Sequence, residues 1–241
     1  MKIKCFVIHL ERATERLAQV KAIKESNSLV TEVVHAVDGK SLTPDGLKCY
    51  VPRLHLPAYP FPLGIGESAC FLSHRACWQR IIDENLDAGL IVEDDLQIDQ
   101  GVFTGAYELV LNHFTNDLYV RFPVKRREAA KEVVACNNQF KLFLPEVIGL
   151  KTTAQLVGIE AARRLLAASK SFDRPVDTFL QMRWIHGVSI YAISPAGVSE
   201  NDLNLGGSSI QKKVSLFNKF SREIQRFIYR HKINKLSSRI K

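Results

Sequence analysis

Three acidic residues stand together directly behind a short apolar run. Residues 90–92 are apolar, and Glu93, Asp94 and Asp95 follow them. Adjacent carboxylates repel one another, and burying them without partners is costly. A divalent cation relieves that repulsion, and carboxylate oxygens are suitable ligands for Mg²⁺ and Mn²⁺. The motif indicates a metal site, and its alternative interpretation is a solvated acidic turn at the end of a strand.

The element that positions these acids is predicted to be a buried strand. The run 90–92 is rich in β-branched residues and follows Gly89, a pattern typical of a parallel sheet covered on both faces. In open α/β sheets, ligands bind beyond the carboxyl ends of the strands. Successive side chains of an extended segment point to opposite faces. We therefore expect Glu93 and Asp95 to face the metal and Asp94 to face the scaffold.

The composition is that of an ordinary globular protein. The chain has 241 residues, of which 46% are hydrophobic and 24% are charged, so one large domain or two small ones can form. No run of 18 apolar residues is present, and a spanning helix is not expected. The cysteines are odd in number and scattered, without a disulfide or zinc spacing, which favours reduced thiols in a cytoplasm. They are Cys5, Cys49, Cys70, Cys77 and Cys136.

The positive charge is concentrated at the end of the chain. Residues 211–241 contain ten Lys and Arg and one acid, Glu223, so the net charge of this tail is +9. Since the net charge of the whole chain is +8, residues 1–210 carry −1. A near-neutral body argues against a protein that binds nucleic acid with its whole surface. The charge pattern predicts a body at 1–210 and a tail at 211–241 with a partner of its own.

The N-terminal third has the pattern of a nucleotide-binding α/β unit. Strands are predicted at 4–9 and 31–37, with a helix at 12–24 between them. The glycine pattern of dinucleotide folds does not follow the first strand. Arg12 and Arg16 occupy that place, where guanidinium groups pair with phosphate or stack on a base. The alternative is a solvated basic helix face.

The rest of the chain alternates between helices and strands. The proline-rich stretch 40–63 is predicted to be a surface loop whose aromatic residues either flank a sugar or pin the loop to the core. The helix that follows the glycines at 64 and 66 is apolar except for Glu67, Ser73 and His74. Further helices are predicted at 101–114 and 153–169, a loop entering a helix at 172–180, and strands at 118–122, 140–144, 147–150 and 188–193.

The tail has a helical repeat of apolar residues among basic ones. Five apolar residues and one histidine recur at steps of three and four, and they are Phe217, Phe220, Ile224, Phe227, Ile228 and His231. A basic amphipathic helix of this kind suits an anionic membrane surface. The alternative is a helix that packs on the core with a solvated basic face.

Several of these segments together resemble glycosyltransferase family 25. The resemblance covers residues 1–210, and its segments are 7–16 (VIHLERATER), 37–39 (VDG), 66–74 (GESACFLSH), 91–95 (IVEDD), 175–177 (PVD) and 208–210 (SSI). The joint order is specific, although each piece alone is not. The family includes bacterial lipooligosaccharide galactosyl- and glucosyltransferases and animal collagen galactosyltransferases.

The resemblance implies an α/β fold of the GT-A type, in which a Rossmann-like, mostly parallel sheet is flanked by helices, followed here by the basic helical tail. It implies an inverting hexosyltransferase that uses a UDP-hexose donor and Mn²⁺ or Mg²⁺. The expected acceptor is a lipid-linked oligosaccharide of lipopolysaccharide type. With the tail on an anionic surface, the expected location is cytoplasmic, peripheral at the inner membrane.

The resemblance and the chemistry together give a set of expected site residues. Asp177 follows a proline at the start of a helix and is the expected general base; its alternative role is a helix cap. His186 is expected as a third metal ligand beside Glu93 and Asp95, and its alternative is a structural histidine. The expected nucleotide and substrate residues are Leu10, Arg12, Arg16, Asp38, Gly39, Glu67, Ser73, His74 and Asp94.

Two other functions stay open at this point. The same acids suit a metal-dependent phosphohydrolase on a nucleotide-sugar-like substrate, with water as the acceptor. An inactive body would leave a module that docks on membranes through its tail. Analysis of the reaction products distinguishes the three functions. A transferase gives sugar transfer, a phosphohydrolase gives hydrolysis alone, and an inactive module gives neither.

Overall fold

The computed structural model describes residues 1–43, 45–125, 127–201 and 216–239, with the backbone alone for 216–220. The strands are β1 (Ile3–His9), β2 (Val30–His35), β3 (Ala88–Glu93), β4 (Leu96–Ile98), β5 (Tyr119–Arg121), β6 (Ala130–Cys136), β7 (Lys141–Pro145), β8 (Ala154–Gly158), β9 (Ile190–Ser194) and β10 (Val198–Glu200). The α-helices are α1 (Leu17–Glu25), α2 (Ile65–Asp83), α3 (Gln100–Leu111), α4 (Ile159–Ala168), α5 (Val176–Leu180), α6 (Arg183–His186) and α7 (Leu216–Ser237).

Eight of these strands form one sheet in the order β2-β1-β3-β8-β5-β9-β7-β6. Six strands run in one direction, and β8 and β7 run against them. The predicted α/β class with a mostly parallel sheet is confirmed. Because β8 is reversed, its first residues reach the edge at which β1, β2 and β3 end.

The sheet is covered on both faces, as the apolar run at 90–92 predicts. Leu90 and Val92 belong to one apolar core and Ile91 to the other. The first core holds α1 and α3 against the sheet, and the second holds α2, α4 and α5. A Cβ atom at Gly89 would lie 2.8 Å from the Ile81 side chain. The missing side chain therefore lets α2 approach β3 closely.

Three local predictions differ from the structure. The segment predicted as one helix at 153–169 is strand β8 followed by α4. All five β8 residues are buried, so the tertiary environment outweighs the helical pattern of the residues that follow. The strand predicted at 147–150 is absent, because this part of the described chain is a bend. Strand β6 has no predicted counterpart, since five of its seven residues are exposed and its sequence lacks an alternating apolar pattern.

The proline-rich stretch is a loop, as predicted. In its described residues, a single turn of 3-10 helix at Asp45–Leu47 and one bridge between Tyr50 and Phe172 are the regular features. Two of its aromatic residues, Tyr59 and Phe61, contact α7. The Tyr59 ring makes an edge contact with Tyr229 at 5.4 Å between centroids.

Helix α7 has one face on the body and the other in solvent. Tyr229 is 8% exposed and Ile233 1%, whereas Phe227 is 72% exposed. Ile224 and Ile228 are also exposed. The inner face of α7 therefore packs on the body, as one alternative states, and membrane docking through the outer face stays a prediction. Phe217 and Phe220 lie outside the residues with described side chains, and 208–210 lie outside the described residues. None of the described helices is long and apolar enough to cross a bilayer.

The two faces of α7 predict opposite responses to substitution. Ile233→Ala removes a fully buried side chain and is expected to lower the free energy of unfolding by about 2–4 kcal/mol. Phe227→Ala on the outer face should change it by less than about 0.5 kcal/mol. Urea denaturation of the full chain measures both. Equal effects of the two substitutions would contradict the packing of α7 on the body.

Candidate active site

Glu93 ends β3 and carries a hydrogen-bonded carboxylate. Its Oε1 accepts from the Thr152 hydroxyl at 2.7 Å and faces Nε2 of His74 at 3.4 Å. Burial favours the neutral acid, but the hydrogen bonds from His74 and Thr152 and the charge of Lys151 lower the pKa of Glu93 overall. Glu93 is therefore an anion held in place from one side.

A buried chain of polar side chains orients His74. Gln155 Nε2 donates to the Thr152 carbonyl at 3.1 Å and to Nδ1 of His74 at 3.1 Å. The Tyr119 hydroxyl bonds the other end of the Gln155 amide. Because both amide protons are used, Nδ1 of His74 is the acceptor, and its Nε2 carries the proton toward Glu93.

Asp94 faces the scaffold, as the alternation of the motif predicts. It is 5% exposed. Its carboxylate accepts from Nδ1 of His9 at 2.8 Å and from Arg16 at 2.6 Å. Arg16 also lies 3.9 Å from the Asp95 carboxylate. Asp94 thus fixes the end of β1 and the start of the first helix relative to the other two acids.

Asp95 is the acid with the fewest partners. Its Oδ1 is buried and has no hydrogen-bond partner among the described residues. Burial and the charge of Glu93 raise the pKa of Asp95 to about 6. The main chain around it is fixed, because the Asp95 carbonyl accepts from the Asn201 amide at 2.9 Å. A divalent cation would relieve both the unpaired oxygen and the repulsion, so the pair of Glu93 and Asp95 fits a metal.

A second group of possible ligands surrounds Glu93. Ligand atoms of Cys70, His74 and Glu93 lie within 4.8 Å of one another. Burial, together with the charges of Glu93, Asp177, Glu67 and Asp95, raises the pKa of the Cys70 thiol, which keeps it protonated. Since a thiol binds metal as the thiolate, the carboxylates are the better ligands.

An open pocket lies at the ends of β1 and β2, beside the acidic motif. Its volume is about 440 Å³, and its lining residues are Leu10, Glu11, Arg12, His35, Ala36, Asp38 and Ser41. Arg12 Nε donates to Asp38 at 2.8 Å. The amide of Lys40 and the Arg12 guanidinium lower the pKa of Asp38. Three of the predicted nucleotide residues, Leu10, Arg12 and Asp38, therefore share one pocket.

Gly39 and Ser73 stabilise the turn that follows β2, next to this pocket. A Cβ atom at Gly39 would lie 3.1 Å from the Ile65 side chain, so this turn passes close to the start of α2. The Ser73 hydroxyl accepts from the Val37 amide at 2.8 Å and donates to the Ala69 carbonyl at 2.8 Å. Both residues hold the strand-to-loop turn.

Asp177 lies on the β8 side of the acidic motif, and Glu67 lies at the start of α2. Asp177 accepts from the Lys151 amide at 3.2 Å and from the Thr178 hydroxyl at 3.1 Å. Lys151 has a left-handed φ of 76°, which is unusual outside glycine and common at functional sites. Asp177 stands inside α5 and does not cap it, since the cap position is Pro175. Glu67 accepts from the Gly64 amide at 2.7 Å and caps α2.

His186 is a structural residue. Its Nε2 donates to the Leu180 carbonyl at 3.0 Å, and its Nδ1 accepts from the Val188 amide at 3.1 Å. Burial lowers its pKa to about 4. Both ring nitrogens are used by the backbone, which leaves no lone pair for a metal and corrects the prediction of His186 as a ligand.

Sequence reasoning missed the residues that come from β8. Thr152 and Gln155 hold Glu93 and His74, and Lys151 holds Asp177. Gln155 falls within the helix predicted at 153–169, and Lys151 and Thr152 fall between two predicted elements, so the sequence does not place them at this edge of the sheet. Cys70 lies one helical turn before His74, and that spacing is the sequence signal that points to it.

Comparison with known proteins adds the family context. Residues 2–180 match the profile of a family described as Glycosyltransferase family 25 (LPS biosynthesis protein). A glycosyltransferase 25 family member from Drosophila pseudoobscura pseudoobscura is 38% identical over 187 residues, which cover 73% of this chain and 29% of that protein. Procollagen galactosyltransferase 2 from Homo sapiens is 27% identical over 188 residues, covering 74% and 30%. The chain spans less than a third of the length of these relatives.

Two further similarities are to a relative that is described as probably inactive and to a solved structure. A Rattus norvegicus relative described as a probable inactive glycosyltransferase 25 family member 3 is 30% identical over 188 residues, which cover 73% of this chain and 32% of that protein. The solved structure of a Drosophila beta-1,4-galactosyltransferase 7 variant with manganese, UDP-Gal and xylobiose overlaps 94% of this chain and 80% of its own. The identity is 10% and the TM-score 0.43.

The raised pKa of Asp95 predicts a pH-dependent response to Asp95→Asn. A folded-state pKa near 6, above the ordinary 3.8, means that ionised Asp95 opposes folding above pH 6. The protein should gain stability as the pH falls from about 6 toward 4. In EDTA, Asp95→Asn should raise the free energy of unfolding by about 1–2 kcal/mol at pH 8 and change it little at pH 4.

Urea denaturation at both pH values measures this effect, and the exposed Asp45→Asn is the matched control. Added Mn²⁺ should stabilise the unsubstituted chain more than Asp95→Asn, because ligand binding to the folded state alone raises its stability. A pH-independent effect of the substitution, or equal stabilisation by Mn²⁺, would contradict the role of Asp95.

Proposed function

This chain belongs to glycosyltransferase family 25, and on that premise we propose that it transfers a hexose from a UDP-sugar to a hydroxyl group of a glycan acceptor. The hexose is galactose or glucose, and the configuration at the anomeric carbon is inverted. One observation carries the proposal: the open pocket, the two metal-facing acids and Asp177 follow one another along a single edge of the sheet. That order matches a donor nucleotide, its diphosphate and the attacking acceptor.

The donor nucleotide is assigned to the pocket at the ends of β1 and β2. Its walls offer the Arg12 guanidinium, the Asp38 carboxylate and the apolar Leu10 side chain. Guanidinium groups bind phosphate or stack on a base, and a carboxylate accepts from ribose hydroxyls. The position of the pocket beside Asp94 and Asp95 supports this assignment. Arg16, which follows β1, already contacts both of these acids.

Glu93 and Asp95 are the residues that would hold Mn²⁺ or Mg²⁺. When bound, such a cation neutralises the negative charge that develops on a diphosphate leaving group. His74 and Thr152 hold the Glu93 carboxylate through Oε1, so its orientation does not depend on the ion. Asp94 keeps the turn in place through His9 and Arg16.

Asp177 is the proposed general base. The acceptor oxygen attacks the anomeric carbon and passes its proton to the Asp177 carboxylate, while the bond to the UDP oxygen breaks and UDP leaves with the electron pair. One displacement of this kind inverts the configuration and needs no covalent enzyme intermediate. The Lys151 amide fixes Asp177 at 3.2 Å, and the strained φ of Lys151 aims that amide.

The same acids would also serve hydrolysis, in which water replaces the acceptor. An inactive body is the third possibility, and one relative is described as probably inactive. Incubation with UDP-galactose or UDP-glucose, Mn²⁺ and truncated lipooligosaccharide, followed by mass spectrometry, separates the three. A hexose added to the acceptor supports transfer, free hexose alone supports hydrolysis, and unchanged donor supports inactivity.

Asp177→Asn should reduce transfer while donor binding stays nearly unchanged. A general base accelerates a reaction roughly 10²- to 10⁴-fold, so kcat should fall by that range. Calorimetry with UDP-hexose gives the donor affinity, and the exposed Asp117→Asn is the control. Lost donor affinity with normal turnover at saturation would make Asp177 a donor ligand and not the base.

The finer proposal is that the acceptor is lipid-linked and that α7 brings the enzyme to an anionic membrane surface, peripheral at the cytoplasmic side of the inner membrane. The outer face of α7 presents Ile224, Phe227 and Ile228, and its exposed flank carries Lys232 and Lys235. Apolar residues flanked by lysines suit the interface of an anionic bilayer. Residues 1–210 carry −1 and cannot replace this attraction.

Substitution of the outer face tests this docking without disturbing the inner face. Phe227→Ser with Ile228→Ser should weaken binding to phosphatidylglycerol vesicles about tenfold or more, because two apolar side chains no longer enter the interface. Val30→Ser with Val133→Ser is the control, since both valines are exposed on the body. Co-sedimentation measures binding, and high salt should also weaken it. Equal loss in both double variants would contradict docking through α7.

A further inference from the structure

We propose that the loop around Tyr59 and the inner edge of α7 form a binding site for an anionic group on the acceptor glycan. The site consists of Tyr59, Phe61, Arg222 and Arg226. This inference rests on the proposed function, because it takes Asp177 as the group that receives the acceptor proton. The ligand is a sugar that carries a phosphate or carboxylate close to the reacting hydroxyl.

The position of the site follows from the order of elements along the sheet edge. The donor pocket lies at β1 and β2, Glu93 ends β3, and Lys151 precedes β8 and holds Asp177. Since β3 stands between β1 and β8 in the sheet, Asp177 is on the side of the acids away from the nucleotide. An acceptor must approach Asp177 from that side.

Tyr59 is connected to the start of α5 through Tyr229, whose hydroxyl accepts from Arg174 at 2.7 Å. Burial raises the pKa of the Tyr59 hydroxyl and keeps it protonated. The Tyr59 ring makes edge contacts with Phe61 at 5.7 Å and with Tyr229 at 5.4 Å. Half-buried aromatic rings in this position offer apolar faces to a sugar ring.

A buried arginine fixes the loop and α7 to each other. Arg174 is fully buried and donates twice to Asp173, at 2.6 and 3.0 Å. It also donates to the carbonyls of His55 and Pro57, at 3.0 and 3.1 Å, and to the Tyr229 hydroxyl at 2.7 Å. Arg174 stands three positions before Asp177 in the chain, so these bonds hold the aromatic loop and Tyr229 in the same local scaffold as Asp177. The site therefore exists before any ligand binds.

Two guanidinium groups of α7 lie over the aromatic loop. The Arg222 guanidinium is 5.0 Å from the centre of the Phe61 ring, and that of Arg226 is 5.5 Å away. Both arginines are exposed, and Arg226 also pairs with Glu223. Arg222 has no acidic partner within the described part of the chain. Stacked guanidinium groups keep their outward N–H donors free for bidentate contact with phosphate or carboxylate.

The test is a binding titration of the full chain with small probes. The protein is saturated with UDP and Mg²⁺, so that a sugar phosphate cannot occupy the donor pocket. Galactose 6-phosphate, galacturonate and galactose are then titrated separately and followed by NMR. The phosphate and the carboxylate should both bind more tightly than galactose, and the stronger of the two identifies the anion.

Arg222→Ala with Arg226→Ala should weaken binding of the anionic probe about fivefold to tenfold, because two exposed charge contacts are lost. Binding of neutral galactose should not change. Lys21→Ala with Lys24→Ala removes the same charge from the exposed surface of α1, on the opposite face of the sheet, and should leave both affinities intact. Thermal denaturation checks that each variant is folded.

Three results would overturn the inference. These are equal affinity for galactose and its anionic derivatives, equal loss in the arginine and lysine variants, and no binding of any probe in the presence of UDP. The proposed function is tested separately, by UDP-hexose binding and transfer. If the arginine variant transfers hexose with unchanged selectivity among acceptors, the proposed function stands and the proposed anion site is wrong.

Discussion

The structure depends on how three adjacent carboxylates are kept at the buried end of one strand. Each acid receives a different environment. Glu93 accepts hydrogen bonds from Thr152 and His74, Asp94 is paired with His9 and Arg16, and Asp95 keeps an oxygen without a partner among the described residues. Because only Asp94 is paired with a cation at close range, the other two retain charge that a divalent ion can use. An arrangement that paired all three acids with cations would leave less uncompensated negative charge for a metal to bind.

The reversed strand β8 makes this distribution possible. A parallel strand beside β3 would bring its last residues to the site, whereas β8 brings its first ones, together with the preceding turn. That turn supplies the Thr152 hydroxyl to Glu93 and the Lys151 amide to Asp177. Gln155, inside the strand, sets the tautomer of His74. One short segment thus connects the metal-facing acids with the proposed base, and a displacement of β8 would disturb both.

The sequence predicted those parts of the site that are local in the chain. The alternation of Glu93, Asp94 and Asp95 placed Asp94 in the scaffold, and the arginines after β1 were expected near the nucleotide. It did not predict contacts between distant segments, because nothing in residues 151–155 reveals that they pair with residue 93. His186 was a wrong ligand for a similar reason, since its backbone partners become visible only when α6 folds back on Leu180. The tail pattern was also ambiguous, and the fold resolves it by burying Tyr229 and Ile233 and leaving Phe227 exposed.

The charge balance around the proposed donor pocket has a further consequence. Arg12 is paired with Asp38 and Arg16 with Asp94, so neither guanidinium is a free counter-charge for a diphosphate. Glu93 and Asp95 add negative charge at the place where the leaving group would lie. On the proposed function, a UDP-sugar alone is repelled from this edge, and a cation between the acids and the phosphates reverses the sign of the interaction. The paired arginines then act through geometry, because their partners hold the donor N–H groups in fixed directions. The excess positive charge of the chain lies in the tail that contains α7. At that position it does not compete with the cation for Glu93 and Asp95.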